Sequence, residues 1–258
     1  MDQHQSETDT LRAIHLDQIL LFGDSLTQWS FNPEIEGWGA FLSNSYVRKL
    51  DVVNRGFSGY NTEWCKHIIA PILRTVLPSP GAQIRLVTVF LGANDATLPF
   101  WPQQHVPLSA YRDNLHSIIA SIRNFSSNTR ILLITPPPIH EGKWQKHCGQ
   151  KGRSINLSVS NTLQYRNACI EVAREAKVPL LDTWEVYFGE GATYNEEKAD
   201  AVLSDGVHLA NLGNRLLGHA VLAKILTEWP DLAPETLPTV MPLWDVLYGK
   251  VLPDALFP

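Results

Sequence analysis

The feature that most restricts the fold of this chain is an alternation that begins at Gln18. Short, continuous apolar runs recur at 19–22, 52–54, 84–91, 131–135 and 180–182, with longer stretches of helical period between them. A strand covered on one face alternates apolar with polar residues, whereas a strand covered on both faces reads as an unbroken apolar run. Runs of the second kind, separated by helix-length segments, describe parallel strands joined by crossover helices. Helices are predicted at 38–50, 62–77, 109–124 and 158–176, with Pro71 a candidate kink in the second. A last helix runs from Asn211, taken as its N-cap, to about Trp229, where Pro230 halts it. The expected fold is therefore α/β, a three-layer α/β/α sandwich around a five-stranded parallel sheet.

The 258 residues, 44% of them hydrophobic, supply one large core. The chain divides into a polar segment at 1–17, one domain at 18–229 and a tail at 230–258 rich in Pro and large apolar residues. In the tail, Trp244, Leu247, Tyr248, Val251 and Leu252 fall at the spacing of one helical face. Such a stripe packs either on its own domain or on a second protomer, which would make a homodimer. Two stretches, 99–108 and 136–157, are read as long loops at the rim of a site.

A formal net charge of -5 offers no basic field for nucleic acid or an anionic membrane surface. No apolar run is long enough for stable membrane insertion, and residues 1–10 lack the apolar region of a signal peptide. Cys65, Cys148 and Cys169 are an odd set without metal-ligand spacing, as expected for free thiols in a reducing, cytoplasmic setting. The partner expected is a small neutral or apolar molecule.

In an open parallel sheet, ligands bind outside the carboxyl ends of the strands. After the first run stands Gly23-Asp24-Ser25-Leu26-Thr27, with a serine where the chain must turn. Taken alone, that serine is equally well explained as a helix cap. After the second run comes Asn54-Arg55-Gly56-Phe57-Ser58-Gly59, and Gly56 is taken as the backbone N–H that approaches a ligand. After the third stands Gly92-Ala93-Asn94-Asp95, where the Asn94 amide is a candidate donor to a developing oxyanion. Near the end, Asp205-Gly206-Val207-His208 sets a carboxylate three residues before an imidazole. A serine hydroxyl needs a base, and the base an orienting partner; His208 and Asp205 have the spacing for both.

Together these four segments resemble the signatures of the SGNH/GDSL hydrolase superfamily, with its flavodoxin-like fold, over residues 19–220. Gly37-Trp38-Gly39, Asn61-Thr62, the run 134–138 and Leu209 with Gly213-Asn214 are similar to the isoamyl acetate-hydrolysing esterase branch. The resemblance implies a serine esterase acting on small carboxylic esters, acetate or another short acyl group, through an acyl-enzyme intermediate. It implies Ser25 as nucleophile, His208 as base, Asp205 as orienter, and an oxyanion hole of the Ser25 and Gly56 amides and the Asn94 side chain. No cofactor or metal is implied. Asp24 and Trp101 are added as candidate substrate contacts. Alternatives on the same fold are a carbohydrate O-acetyl esterase, a thioesterase or a lysophospholipase. A non-catalytic flavodoxin-like binding module is disfavoured by the lack of a phosphate-cradling glycine motif.

The remaining residues receive plainer readings. His140, His147 and Cys148 fit no common zinc spacing. His67 and His116 are expected in surface or packing positions on helices. Trp29, Trp38 and Trp64 are read as core.

Overall fold

The computed structural model describes residues 16–77 and 81–249. Its strands are Gln18–Gly23 (β1), Asp51–Gly56 (β2), Ile84–Phe90 (β3), Arg130–Ile134 (β4) and Leu180–Leu181 (β5). They pair in parallel in the order β2-β1-β3-β4-β5, so the chain reverses its direction of winding between β1 and β3. Such a reversal leaves a crevice at the strands' carboxyl ends.

The α-helices are Ser25–Gln28 (α1), Trp38–Ser45 (α2), Thr62–Thr75 (α3), Leu108–Phe125 (α4), Glu141–Gln150 (α5), Val159–Ala176 (α6), Thr183–Phe188 (α7), Glu196–Val202 (α8), Asn211–Glu228 (α9) and Trp244–Leu247 (α10). Because successive side chains of a strand point to opposite faces, β1 feeds two cores. Leu20 and Phe22 join Ile69 of α3, Ile118 of α4 and Val172 of α6 on one side. Ile19 and Leu21 join Leu42 of α2, Trp184 of α7 and Val221 of α9 on the other. The three-layer sandwich is thus the one expected from unbroken apolar runs.

Several elements differ from the sequence reading. The helix expected at 38–50 ends at Ser45, followed by turns in which Arg48 adopts φ 61° and Tyr46 Oη donates to Leu232 O at 2.9 Å. Pro71 lies inside α3 on its exposed side, where the helix runs on to Thr75. The expected N-cap Asn211 is instead the first residue of α9, behind Ala210, and its amide reaches Glu34 O and Glu36 Oε1. The stretch 136–157 is not one long loop, since it contains α5. That helix is mostly polar, with Cys148 its single buried residue, so few apolar positions announce it.

Packing also runs past Trp229, because Leu232 is fully buried in the α9 core. Beyond it the tail crosses the end of α2, with Val240 N donating to Arg48 O at 2.8 Å and Arg48 Nη2 to Met241 O at 2.8 Å. Of the apolar stripe, Leu247 is half-buried while Trp244 is 79% and Tyr248 85% exposed. Its remaining members Val251 and Leu252, like residues 1–15, lie outside the described residues. Among the described residues no helix is long and apolar enough to cross a membrane, and Cys65, Cys148 and Cys169 are free and buried.

These placements separate two tail residues of similar chemistry. Leu232→Ala should lower unfolding stability by roughly 2 to 5 kcal/mol, the usual cost of emptying a packed leucine site. Trp244→Ala should stay within about 0.5 kcal/mol of the parent. Denaturant titration of both variants checks this, and equal losses would contradict the packing.

Candidate active site

The serine is positioned by the turn from β1 into α1. Asp24 is the N-cap of α1, its Oδ1 accepting the Leu26 N–H at 2.9 Å. The cap is therefore Asp24 rather than Ser25, and the serine hydroxyl is released for other bonds. Gly23 makes the turn possible, since a Cβ there would meet Thr27 Oγ1 at 2.2 Å and Phe90 O at 2.5 Å.

The imidazole comes from a loop closed by Ser204 N donating to His208 O at 2.8 Å. Within it, Asp205 Oδ1 accepts the N–H groups of Val207 at 3.0 Å and His208 at 2.9 Å. That leaves Oδ2 2.7 Å from His208 Nδ1, while His208 Nε2 lies 3.0 Å from Ser25 Oγ. Carboxylate, imidazole and hydroxyl so form one continuous line. Gly206, with φ 102°, lets the loop press on α5, where a Cβ would meet Trp144 N at 2.5 Å and His140 O at 2.6 Å.

Electrostatics follow from these bonds. Burial works to raise the Asp205 carboxyl, but the hydrogen bond and charge of His208 and two backbone amides outweigh it and hold it well below the usual carboxylate range. Burial likewise works against the His208 imidazolium and is outweighed by the Asp205 bond and charge and by Asp24, so His208 lies above its ordinary value. Asp24 behaves differently: its burial is complete and pushes it to about 7 despite the Leu26 amide. The expectation that Asp24 touches substrate fails for the same reason, since its carboxylate lies beneath the site rather than on its surface.

The glycine expected to donate to an oxyanion is also corrected. Gly56 N already donates to Asn54 Oδ1 at 2.9 Å, and a Cβ on Gly56 would lie 2.0 Å from Gln28 N. Gly56 serves the close approach of β2 to α1. The first loop glycine after β2 is Gly59, with φ 82°, which lines a cavity beside Ser25. Among the described residues, neither the Gly59 nor the Ser25 amide donates to another group. Asn94 lines the same cavity; its Nδ2 donates to Tyr60 O at 2.8 Å and lies 3.5 Å from Asp24 Oδ2. Gln104, in the stretch 99–108, fixes both groups through Nε2, 2.9 Å from Gly59 O and 2.9 Å from Asn94 Oδ1. Nothing in the sequence singled out Gln104, because its role rests on two partners distant along the chain.

Two hollows flank Ser25 and His208. One, of about 200 Å³, holds Asn94, Gly59 and Trp101. The other, of about 300 Å³, is walled by Leu26, Trp29, Ile35 and Leu209. Of the tryptophans read as core, only Trp38 is buried; Trp29 is 48% exposed at the second hollow and Trp64 packs edge-on against Tyr60. His67 and His116 stand on helix surfaces beside Glu63 and Glu175. His140 caps α5, accepting from Lys143 N at 3.1 Å, while His147 stacks on Trp144 and Cys148 is buried behind the first hollow.

A model of the GDSL-like lipase/acylhydrolase family matches residues 21–216. The chain is 40% identical over 235 residues to the isoamyl acetate-hydrolyzing esterase 1 homolog of Mus musculus, covering 90% of this chain and 88% of that protein. It is 31% identical over 243 residues to the isoamyl acetate-hydrolyzing esterase of Saccharomyces cerevisiae, covering 90% of this chain and 95% of that one. In structure it resembles the lipase/acylhydrolase from Enterococcus faecalis, with a TM-score of 0.59 at 23% identity over 87% of this chain and 98% of the other, a likeness of fold.

The hydrogen-bonded line from Asp205 carries a titration signature. With the imidazolium favoured by its carboxylate, the His208 ring should titrate in the folded protein with a midpoint above 6.5, followed by NMR of the ring. Asp205→Asn should bring that midpoint down, and a midpoint indifferent to the substitution would show that the two groups do not interact.

Proposed function

The chain belongs to the GDSL-like lipase/acylhydrolase family, and from that premise we propose that it is a serine esterase of small carboxylic esters, working through an acyl-enzyme on Ser25. The observation that carries this reading is the unbroken contact from Asp205 Oδ2 through both nitrogens of His208 to Ser25 Oγ, opening on the two hollows.

In the proposed reaction Ser25 Oγ attacks the ester carbonyl carbon while its proton passes to His208 Nε2. Asp205 stays ionised, holds the ring by Nδ1 and stabilises the imidazolium. The carbonyl oxygen, now carrying the charge, is received by the Ser25 and Gly59 N–H groups and by the Asn94 Nδ2 hydrogen whose contact to Asp24 Oδ2 is long, at 3.5 Å, and gives way to it. The carbonyl re-forms, the alcohol departs with the proton from His208, and the acyl group remains on Ser25. A water then loses its proton to His208 and attacks the acyl carbon, releasing the acid and restoring the hydroxyl. Gln104 is a positioning residue here, since it fixes the Asn94 amide so that nitrogen rather than oxygen faces the charge.

The ester is proposed to be an acetate or another short-chain acyl ester. Two supports are the printed names of the mouse and yeast relatives and the second hollow, whose walls of Leu26, Trp29, Ile35 and Leu209 suit a short hydrocarbon arm. Each methylene buried there is worth about 0.8 kcal/mol, enough to set chain-length preference.

Ser25→Ala and His208→Ala should each abolish nearly all ester hydrolysis in folded protein, and the double variant should resemble either single one, because residues acting as one unit fail together. Substantial hydrolysis by Ser25→Ala, or labelling of that variant by a fluorophosphonate, would overturn the reading.

The oxyanion assignment is tested separately. Asn94→Ala should lower kcat by roughly 100-fold to 1,000-fold with KM little changed. A change confined to KM would make Asn94 a ground-state contact instead.

A further inference from the structure

The two hollows beside Ser25 differ in charge as well as polarity. The first is lined by Lys151, Arg153, His147 and His208 and by no carboxylate side chain, in a chain whose net charge is -5. On the same face Lys143 is paired with Asp200 at 3.0 Å. Lys151 and Arg153 are exposed, and among the described residues neither has a carboxylate at ion-pair distance.

Their placement is built rather than loose. The chain folds back at the end of α5, with Lys151 N and Arg153 N both donating to Cys148 O at 2.9 Å. The Arg153 guanidinium lies over the Trp101 ring, 5.8 Å from its centroid. Asn156 ties the segment to the rim, since its Oδ1 accepts from Trp144 Nε1 at 2.9 Å and its O from Leu98 N at 2.8 Å. The C-terminal end of a helix favours nearby cations on its own account, which explains a charge at Lys151. It does not explain a guanidinium seated on the aromatic ring of a separate loop. Lys151 and Arg153 line the same cavity as Ser25 and His208, which sets both cations on the hollow that opens at the hydroxyl.

We propose that the ester turned over at this site carries an anionic substituent, of the carboxylate or phosphate class, held by Lys151 and Arg153 while the opposite arm lies in the apolar hollow. The inference rests on the esterase reading and adds the charge of the substrate. Guanidinium and ammonium groups flanking one cavity form charge-assisted hydrogen bonds with such an anion, and Asp205, the carboxylate nearest the hollow, faces His147 and His208 rather than either cation.

The test compares matched esters on the whole protein: the 4-nitrophenyl hemiester of glutarate against 4-nitrophenyl pentanoate, and the acetate ester of 4-hydroxybenzoate against phenyl acetate. The anionic-to-neutral ratio of kcat/KM in at least one pair should fall by about tenfold to a hundredfold in the Lys151→Ala/Arg153→Ala double variant, the range of one or two charge-assisted hydrogen bonds. It should fall further in Arg153→Glu. Ratios that do not move in either pair would overturn the proposal. If the parent protein hydrolyses none of the four esters, the esterase reading has failed rather than this one. Calorimetric binding of monomethyl glutarate to Ser25→Ala, with and without the two basic side chains, then decides: affinity lost with them supports the site, and affinity indifferent to them sinks it.

Discussion

The turn from β1 into α1 leaves no room for any side chain at Gly23, where Thr27 Oγ1 and Phe90 O close the space. Strand β1 is fixed between β2 and β3 and buried on both faces, so the point at which it stops is set by the whole sheet. Asp24 then closes the first turn of α1 through the Leu26 amide, and Ser25 is delivered to the rim with its hydroxyl unspent. Gly56 performs the matching task from the neighbouring strand, letting β2 come up against the backbone of Gln28. Two glycines packed against neighbouring backbone thus determine where the Ser25 hydroxyl stands.

Three aspartates around this turn show how hydrogen-bond count decides charge. Asp205 receives two backbone N–H groups and the imidazole, and stays ionised at any physiological pH. Asp24 receives one amide and a long contact from Asn94, and burial prevails, lifting it to about 7. Asp95 accepts the Thr62 N–H and hydroxyl through Oδ1, leaves Oδ2 without a partner among the described residues, and is also lifted to about 7. For both raised groups the folded value exceeds the ordinary 3.8. Their contribution to stability is therefore fully present below 3.8 and is lost as pH rises toward about 7. A buried charge at Asp24 also favours the imidazolium of His208. The stability of the turn and the basicity of the imidazole are thereby linked.

The sheet was legible in the sequence because strands covered on both faces must read as unbroken apolar runs, and every one of the five was found within two residues of its observed ends. The Ser25, Asp205 and His208 line was legible because Asp205 and His208 are spaced to bond within one loop. Gly59, the oxyanion donor proposed above, was passed over through a boundary error: with β2 taken to end at Asn54, Gly56 looked like the first loop glycine, whereas the strand includes it. Helix α5 was invisible for a different reason. Its sequence, EGKWQKHCGQ, is mostly polar and buries a single side chain, so too few apolar residues mark it as a helix. Trp29 shows the limit of composition, since a tryptophan read as core forms part of a hollow's wall.

Helix α5 has little core of its own, so what holds it matters for the site. Gly206 presses against the Trp144 amide and His140 carbonyl, and His140 N donates to Gly206 O at 2.9 Å. Lys143 Nζ reaches Leu203 O at 2.8 Å, just ahead of the loop that carries Asp205 and His208. The same helix ends in the fold-back that sets Lys151 and Arg153 on the first hollow. The imidazole loop and the basic rim are consequently braced against one another rather than attached independently to the sheet. A side chain at position 206 would have to push α5 outward, moving the basic rim away from Ser25 at the same time as it loosened the Asp205–His208 loop. The position of the basic rim and the orientation of the His208 ring therefore share one set of contacts between α5 and the segment 203–208.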